Sequence, residues 1–170
     1  MAKKILIVVD MQNDFVTGSL ANPAAQAIVE PIAKLILDYD GDEVLATRDT
    51  HYEDYLETPE GKALPVPHCV YMTEGWRFAY PIDYSLGFVA GRILMKKTFG
   101  TVEGWKLDKF DVIEMCGTCT DICVISNALI LKTLYPKATV RVLSHLCAGT
   151  TPERHQAALD VMRSCQIEVV

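Results

Sequence analysis

The sequence predicts an α/β protein in which a mainly parallel sheet lies between two layers of helices. Short apolar runs, typical of buried parallel strands, alternate along the chain with longer stretches of helical periodicity. Several of the runs end in ionisable residues, and glycines and prolines punctuate the connections between them. This alternation favours a doubly wound, three-layer α/β/α arrangement with six strands, formed by a single domain over residues 1–170.

The predicted elements follow one another in a regular order. Strands are predicted at residues 3–9, 43–47, 91–96, 111–116, 138–143 and 166–170. Helices are predicted at residues 23–39, 121–135 and 151–164. Residues 52–90 are rich in proline, glycine and aromatic residues and show no clear periodicity. A structureless stretch of this length is unusual in a compact domain, so this segment is either functional or contains elements that its pattern hides.

Composition and charge limit the expected binding partners and the expected cellular location of the protein. Half of the 170 residues are apolar, and the formal net charge is −6. This acidity argues against a nucleic acid or an anionic membrane surface as partner. The apolar run Ile5–Val9 is too short for a signal peptide or a membrane span, and the six cysteines read as thiols. We therefore expect a cytoplasmic protein, and the many apolar residues fit a homo-oligomer.

The segment Cys116–Val124 carries the strongest chemical signal. The run Val112–Met115 predicts a buried strand that leads into it, and Thr120-Asp121 are typical N-cap residues of a following helix. This places Cys123 in the first turn of a helix, where the partial positive charge of the helix start favours a thiolate. On this motif alone, the alternative that Cys123 is a small core residue stays open.

Ionisable residues follow four of the predicted strands. Asp10 ends the first strand, Asp49 and His51 follow the second, Lys96 ends the third, and Cys123 follows the fourth by one turn. Because ligands bind beyond the carboxyl ends of parallel strands, we expect these side chains to meet at one edge of the sheet.

Four segments carry a resemblance to a known family. They are Ile7–Phe15 with Gly18-Ser19-Leu20, Thr47–His51, Lys96–Gly100 and Gly117–Val124. In this order, and over nearly the whole chain, the sequence resembles the cysteine hydrolases of the isochorismatase and nicotinamidase superfamily. The resemblance implies the isochorismatase-like hydrolase fold and hydrolysis of a small amide through a cysteine thioester.

The resemblance also implies a catalytic triad of Asp10, Lys96 and Cys123. Lys97 is the alternative to Lys96, which is preferred because the family places its lysine three residues before an aromatic residue, here Phe99. In such a triad the aspartate takes the proton of the thiol and later returns it to the leaving ammonia. The lysine beside both groups keeps the aspartate ionised before the substrate binds.

Two backbone features come with the same resemblance. It implies a cis peptide bond between Thr118 and Cys119, and an oxyanion hole formed by the backbone amides of Cys119 and Cys123. Such amides stabilise the negative charge that develops when a thiolate attacks a carbonyl carbon.

A second group of residues is spaced like the metal ligands of the nicotinamidase branch. These are Asp49, His51 and His68, with Glu60 as the predicted fourth ligand and Glu57 as the alternative. A carboxylate and two imidazoles suit a divalent ion with open positions, zinc before iron(II) or manganese(II).

The predicted substrate is a small carboxamide, with nicotinamide favoured. Phe15, Leu20 and Trp76 are the predicted substrate contacts. Nicotinamidases commonly carry an aromatic residue shortly before the second metal histidine, whereas this chain has Leu64-Pro65 there. Trp76 or Tyr71 is therefore the candidate for the aromatic wall opposite Phe15.

Two other classes of function remain alternatives. A hydrolase of the same fold can act on a ureido or carbamoyl amide or on an isochorismate-like vinyl ether, and the scaffold can also serve as a non-enzymatic binding module. The complete triad disfavours the binding module, and the metal set disfavours the isochorismate branch, which lacks these ligands.

Overall fold

A parallel sheet of six strands forms the centre of the fold. The computed structural model describes residues 2–170. The strands are β1 (Lys4–Val9), β2 (Val44–Asp49), β3 (Arg92–Lys96), β4 (Val112–Thr118), β5 (Thr139–Ala148) and β6 (Glu168–Val169). They lie in the order β3-β2-β1-β4-β5-β6, and every neighbouring pair is parallel.

Helices cover both faces of this sheet. They are α1 (Asn13–Val16), α2 (Pro23–Ile36), α3 (Pro59–Ala63), α4 (Ile82–Val89), α5 (Ile125–Leu134) and α6 (Pro152–Ser164). Helices α2 and α4 pack on one face, and α5 and α6 pack on the other. The predicted doubly wound α/β/α fold is confirmed. Among residues 2–170, no helix combines the length and the apolar character that crossing a membrane requires.

The continuous apolar run of strand β1 follows from its position at the centre of the sheet. Leu6 and Val8 face the layer of α2 and α4, whereas Ile5, Ile7 and Val9 face the layer of α5 and α6. Successive side chains of a strand point to opposite faces, so a central strand with both faces covered needs apolar residues at every position.

The strand order creates a cleft at the carboxyl ends of β1 and β4. From these two central strands, the chain continues outward toward opposite edges of the sheet. A sheet of this order binds its ligands at the point where the direction reverses. Asp10 follows β1 and Cys119 follows β4, so both lie at this switch point.

Several element boundaries differ from those predicted. Helix α2 ends at Ile36 and not at residue 39, because Tyr39 leaves the helix and donates its hydroxyl to Glu114 in β4. Strand β5 continues past residue 143 to Ala148, where its end pairs with the end of β4. The polar Ser144-His145 interrupts the apolar pattern and hides this second half of the strand.

The start of the helix after β4 also differs from the prediction. Its first turn is a π-helical turn, Thr120–Val124, which runs into α5. The N-cap residue is Cys119, without a side-chain cap bond, so the N-cap assignment of Thr120 and Asp121 is wrong. Asp121 instead accepts hydrogen bonds from the backbone N–H and the hydroxyl of Thr150.

Residues 52–90 contain elements that the sequence pattern hid. They form a 3₁₀ turn at Tyr55–Glu57 and the helices α3 and α4. On α4 and just before it, Tyr80, Tyr84 and Phe88 are exposed and lie against one another, while buried residues occupy the opposite face. Aromatic residues on the solvent side erase the amphipathic period by which a surface helix is recognised.

The expectation that the protein forms a homo-oligomer stays a prediction.

Gly117 permits the close approach of β4 to β1. Its φ is +119°, and a Cβ atom at this position would lie 2.2 Å from the carbonyl oxygen of Val9. An L-residue side chain is therefore excluded here by both the backbone conformation and the neighbouring strand.

We expect Gly117→Ala to lower the free energy of unfolding by more than about 1 kcal/mol, because backbone atoms of β1 leave no room for the methyl group. Gly87→Ala is the matched control: Gly87 lies within α4, and its added Cβ would meet nothing within 4 Å. This control should stabilise the protein by about 0.5–1 kcal/mol. Urea denaturation measures both changes, and equal effects of the two substitutions would contradict this account of Gly117.

Candidate active site and metal centre

The buried ammonium group of Lys96 lies at the centre of the site. Its Nζ is 2.7 Å from Oδ2 of Asp10 and 3.0 Å from Oδ1 of Asp49. It also donates to the carbonyl of Thr98 at 3.1 Å and lies 3.6 Å from Sγ of Cys123. The structure therefore brings Asp10, Lys96 and Cys123 together, as the sequence predicts.

Strand register decides between the two neighbouring lysines. Lys96 pairs with Asp49 in the ladder between β2 and β3, and its side chain points into the protein. Because side chains alternate along a strand, Lys97 points the other way and is exposed, with its Nζ 5.9 Å from the centre of the Tyr52 ring. Lys97 is therefore not in reach of Asp10.

Asp10 is fully buried at the end of β1. Its Oδ1 accepts a hydrogen bond of 2.7 Å from the hydroxyl of Thr47, and its φ is +49°. Burial raises the pKa of this carboxyl above its ordinary value, and the positive charge of Lys96 offsets only part of the rise. A carboxyl with a raised pKa accepts a proton more readily, which suits a general base.

The turn that carries Cys123 is stabilised by its own backbone and by Asn127. The carbonyl of Cys119 accepts the N–H groups of Ile122 and Val124, both at 3.0 Å. The side-chain amide of Asn127 donates to the carbonyl of Cys123 at 2.8 Å. The peptide bond between Thr118 and Cys119 is cis, as the family resemblance implies. The oxyanion-hole role of the Cys119 and Cys123 amides stays a prediction.

Burial opposes ionisation of the Cys123 thiol. It raises the pKa of the Cys123 thiol well above the ordinary value, Asp10 adds to the rise, and Lys96 opposes it. Burial therefore opposes the stabilisation of a thiolate that is expected from the helix start. Nζ of Lys96 lies 2.7 Å from Oδ2 of Asp10 and 3.6 Å from Sγ of Cys123, so the carboxylate and the thiol share one ammonium neighbour.

Four side chains of the predicted metal set converge beside Lys96. Nε2 of His51 lies 3.0 Å and Nε2 of His68 lies 3.7 Å from Oδ2 of Asp49. Oε1 of Glu60 is 3.7 Å from Nε2 of His51 and 4.0 Å from Nε2 of His68. Glu57, the alternative to Glu60, is exposed and makes none of these contacts. The cluster contains two imidazoles and two carboxylates.

The donor chemistry of this cluster fits a divalent metal ion. Burial alone would raise the pKa of Asp49, but hydrogen bonds from His51 and Lys96 and their charges hold it below its usual range. Nδ1 of His68 is 2.8 Å from the carbonyl of Val66, an arrangement that places the ring proton on Nδ1 and frees Nε2 as a ligand. Ionised carboxylates and imidazole nitrogens of this kind suit zinc, iron(II) or manganese(II).

Tyr55 supports both histidines and was missed by the sequence analysis. The centre of its ring lies 4.7 Å from that of His51 and 5.1 Å from that of His68. Its hydroxyl donates to the carbonyl of Leu64 at 2.9 Å, which closes the loop that bears Glu60. These contacts form only when the chain folds back on itself, so nothing in the local pattern indicated them.

Gln12 and Asp14 join the loop after β1 to both ligand-bearing segments. The side chain of Gln12 accepts from the N–H of Asp49 at 2.7 Å and donates to its carbonyl at 2.9 Å. Asp14 accepts from the N–H of Cys69 at 2.8 Å, and the carbonyl of Cys69 accepts from the N–H of His51 at 3.0 Å. The sequence analysis gave neither residue a role, and their place in the first family motif was the available signal.

A cavity of about 440 Å³ opens at this edge of the sheet. The predicted site residues that line it are Phe15, Leu20, Asp49, Glu60, His68, Cys119 and Cys123. Asp10 and Lys96 lie behind this wall, away from solvent. A ligand in the cavity therefore meets the thiol and the metal cluster together.

Trp76 does not line the cavity, contrary to its predicted role. It is buried, its Nε1 donates to the hydroxyl of Thr50 at 2.9 Å, and the guanidinium of Arg48 lies 4.3 Å from its ring centre. The other candidate, Tyr71, packs against Trp76 and is likewise absent from the lining. Trp76 is therefore held behind the site by its contacts, whereas Tyr71 lies exposed on the surface beside it.

Leu64 and Phe99 are among the apolar residues that line the cavity with Phe15. In the sequence, Phe99 was used only to choose Lys96 as the lysine of the predicted triad. Its backbone carbonyl accepts from the side-chain amide of Asn127 at 3.1 Å, which positions the loop after β3 next to the turn of Cys123.

Comparison with known proteins defines the class of this chain. Residues 4–170 match the family model of the Isochorismatase domain. The chain is 29% identical to the nicotinamidase/pyrazinamidase of Mycobacterium tuberculosis over 98% of each protein. It is 28% identical to the nicotinamidase of Schizosaccharomyces pombe over 97% of this chain and 91% of that one. This protein therefore belongs to the isochorismatase family, as the resemblance of its motifs predicted.

Solved structures place it more narrowly. The crystal structure of nicotinamidase/pyrazinamidase from Bacillus subtilis has a TM-score of 0.87 at 26% identity and covers 99% of both chains. The pyrazinamidase of Pyrococcus horikoshii, solved in complex with zinc, has a TM-score of 0.77 at 30% identity and covers 99% of this chain and 98% of that one. Within the family, the chain is of the nicotinamidase-like branch.

The choice between the two candidate glutamates can be tested by metal binding. We expect Glu60→Gln to weaken zinc binding by at least about tenfold, because it removes a charged ligand, whereas Glu57→Gln leaves the affinity unchanged. Competition with a chromophoric chelator gives the affinity, and mass spectrometry gives the metal content of the purified variants. Wild-type affinity in Glu60→Gln together with a loss in Glu57→Gln would reverse the assignment.

Proposed function

We propose that this protein is a metal-containing amidase that hydrolyses small carboxamides, with nicotinamide as the favoured substrate. The observation that supports this most strongly is the single cavity that joins the Cys123 thiol to the cluster of Asp49, Glu60 and His68. The nicotinamidases among its relatives support the same conclusion.

Cys123 is the proposed nucleophile and Asp10 the proposed general base. Asp10 takes the proton of the thiol as the sulfur attacks the amide carbon. The backbone amides of Cys119 and Cys123 stabilise the resulting oxyanion. Asp10 then gives its proton to the leaving nitrogen, ammonia departs, and a thioester forms on Cys123. Water attacks this thioester while Asp10 takes its proton, and Asp10 returns that proton to the sulfur as the C–S bond breaks. The carboxylic acid is released and the Cys123 thiol is restored.

Lys96 is the proposed electrostatic partner of both groups. Burial alone would lower its pKa, but Asp10, Cys123 and Asp49 outweigh burial and raise the pKa well above the ordinary value. The side chain therefore stays an ammonium throughout. Its fixed positive charge offsets the negative charge that moves between Asp10 and Cys123 during the reaction.

Asp49, His51, Glu60 and His68 are the proposed metal ligands. When bound, the ion supplies an open coordination position that suits a ring nitrogen of the substrate. Phe15 and Leu64 provide apolar walls for the ring, and Leu20 lines the same cavity. These contacts orient the carboxamide without taking part in bond breaking.

The aliphatic Leu64 favours a second candidate substrate. Where nicotinamidases commonly carry an aromatic residue, Leu64 gives an aliphatic wall, which suits a non-aromatic ureido or carbamoyl amide as well. The chemistry of Cys123 and Asp10 is the same for both substrate classes.

Ammonia release from a panel of amides tests the proposed function. We expect the zinc-loaded protein to hydrolyse nicotinamide, to act poorly on benzamide, which lacks the ring nitrogen, and to lose kcat/KM for nicotinamide on chelation. Cys123→Ala should abolish the activity with metal content intact, and Cys119→Ala should retain substantial activity. Activity on ureido compounds alone would favour the second candidate. Full activity in Cys123→Ala would overturn the mechanism.

The two lysines offer a matched test of the acid–base machinery. We expect Asp10→Asn and Lys96→Ala to lower the acylation rate by at least about a hundredfold, and Lys97→Ala to have a mild effect. Single-turnover kinetics measures acylation directly. Thermal unfolding is measured alongside, because Lys96→Ala leaves two buried carboxylates without their cation. A larger loss in Lys97→Ala than in Lys96→Ala would refute the triad.

A further inference from the structure

Arg154 lies on the wall of the active-site cavity. It belongs to the first turn of α6 and lines the same cavity as Cys123 and Phe99. Among the side chains that the structure describes in the lining of this cavity, it is the only one from a lysine or an arginine. The ion pairs formed within residues 2–170 leave its guanidinium without a carboxylate partner.

The other polar side chains on this part of the wall are already hydrogen-bonded within the protein. Asn22 accepts from the N–H of Ala24 at 2.9 Å and donates to the carbonyl of Gly149 at 2.8 Å. The hydroxyl of Thr150 donates to the carboxylate of Asp121. Arg154, which is exposed to solvent, is thus the group here whose donors have no protein partner and remain for a ligand.

The size and the charge of the cavity indicate what such a ligand carries. A volume of about 440 Å³ lies in the range of about 300–1,000 Å³ that holds drug-sized ligands, whereas a pyridine ring with one carboxamide is much smaller. Asp49 and Glu60 line the same cavity but belong to the candidate metal cluster, and Asp49 is also paired with Lys96. Arg154 presents a cation to the cavity apart from this cluster, and a guanidinium matches the two oxygens of a carboxylate.

We propose that Arg154 selects aromatic carboxamides that carry a second, anionic substituent, and that its guanidinium binds the carboxylate of that substituent. This inference rests on the proposed amidase function and names the substrate class of the same site. Arg154 is in this account a specificity-determining residue and takes no part in the chemistry at the Cys123 thioester.

The test compares pairs of substrates that differ only in charge. One member is nicotinamide with a carboxylate at the free meta position of the ring, carried directly or on a short alkyl arm, and the other has a neutral acetyl group in its place. We expect the wild type to favour the anionic member of at least one pair by about tenfold in kcat/KM, and high salt to shrink this preference. Absence of a preference in both pairs overturns the proposal.

Variants on one helix provide the control. We expect Arg154→Gln to abolish the preference through KM, and Arg154→Lys to keep part of it. Arg163→Gln, further along α6 and paired with Asp160 at 2.8 Å in the wild type, should keep it fully. A preference that survives in Arg154→Gln overturns the assignment.

A binding measurement separates this inference from the proposed function. In the Cys123→Ala background, calorimetry with pyridine-3,5-dicarboxylate, a mimic of the product of the anionic substrate, requires no turnover. We expect Arg154→Gln to weaken this binding by about tenfold, the usual scale for one charge-assisted contact. Failure to hydrolyse any amide would refute the amidase function alone, whereas equal affinity in the two proteins would refute the role of Arg154.

Discussion

The site depends on one buried cation between two buried carboxylates. Asp10 and Asp49 approach each other at the ends of neighbouring strands, and two ionised carboxylates cannot share a desolvated space without compensation. Lys96 supplies it through contacts of 2.7 and 3.0 Å. The same ammonium thereby contacts both the proposed acid–base group, Asp10, and a proposed metal ligand, Asp49. A change in the charge of either carboxylate therefore affects the other.

The sheet topology brings these groups to one place. Strands β1 and β4 are neighbours although more than a hundred residues separate them, and their contact requires a glycine at position 117, where any side chain would collide with Val9. The cleft beyond these strands receives Asp10 from one side and Cys123 from the other. The segment 52–90, which contains α3 and α4, adds Glu60 and His68.

Much of the site could be predicted because its residues stand at strand ends. Asp10, Lys96 and Cys123 each follow an apolar run, and the geometry of parallel sheets places such positions at a common edge. The prediction failed where the decisive contact was not local. Trp76 is an aromatic residue of the kind that often contacts ligands, yet it packs behind the cavity. Tyr55 contacts both histidines because the chain folds back on itself, and no periodicity in the sequence predicts such a contact.

The sequence by itself determined the fold class, the family and the types of side chain at the cleft, because strand and helix periods and the order of motifs are properties of the linear chain. The tertiary structure alone decided which lysine and which glutamate enter the site, and that burial raises the pKa of the Cys123 thiol. These outcomes depend on strand register, desolvation and the proximity of charges from distant segments. Burial and electrostatics act through space, and spatial neighbours exist only once the chain has folded.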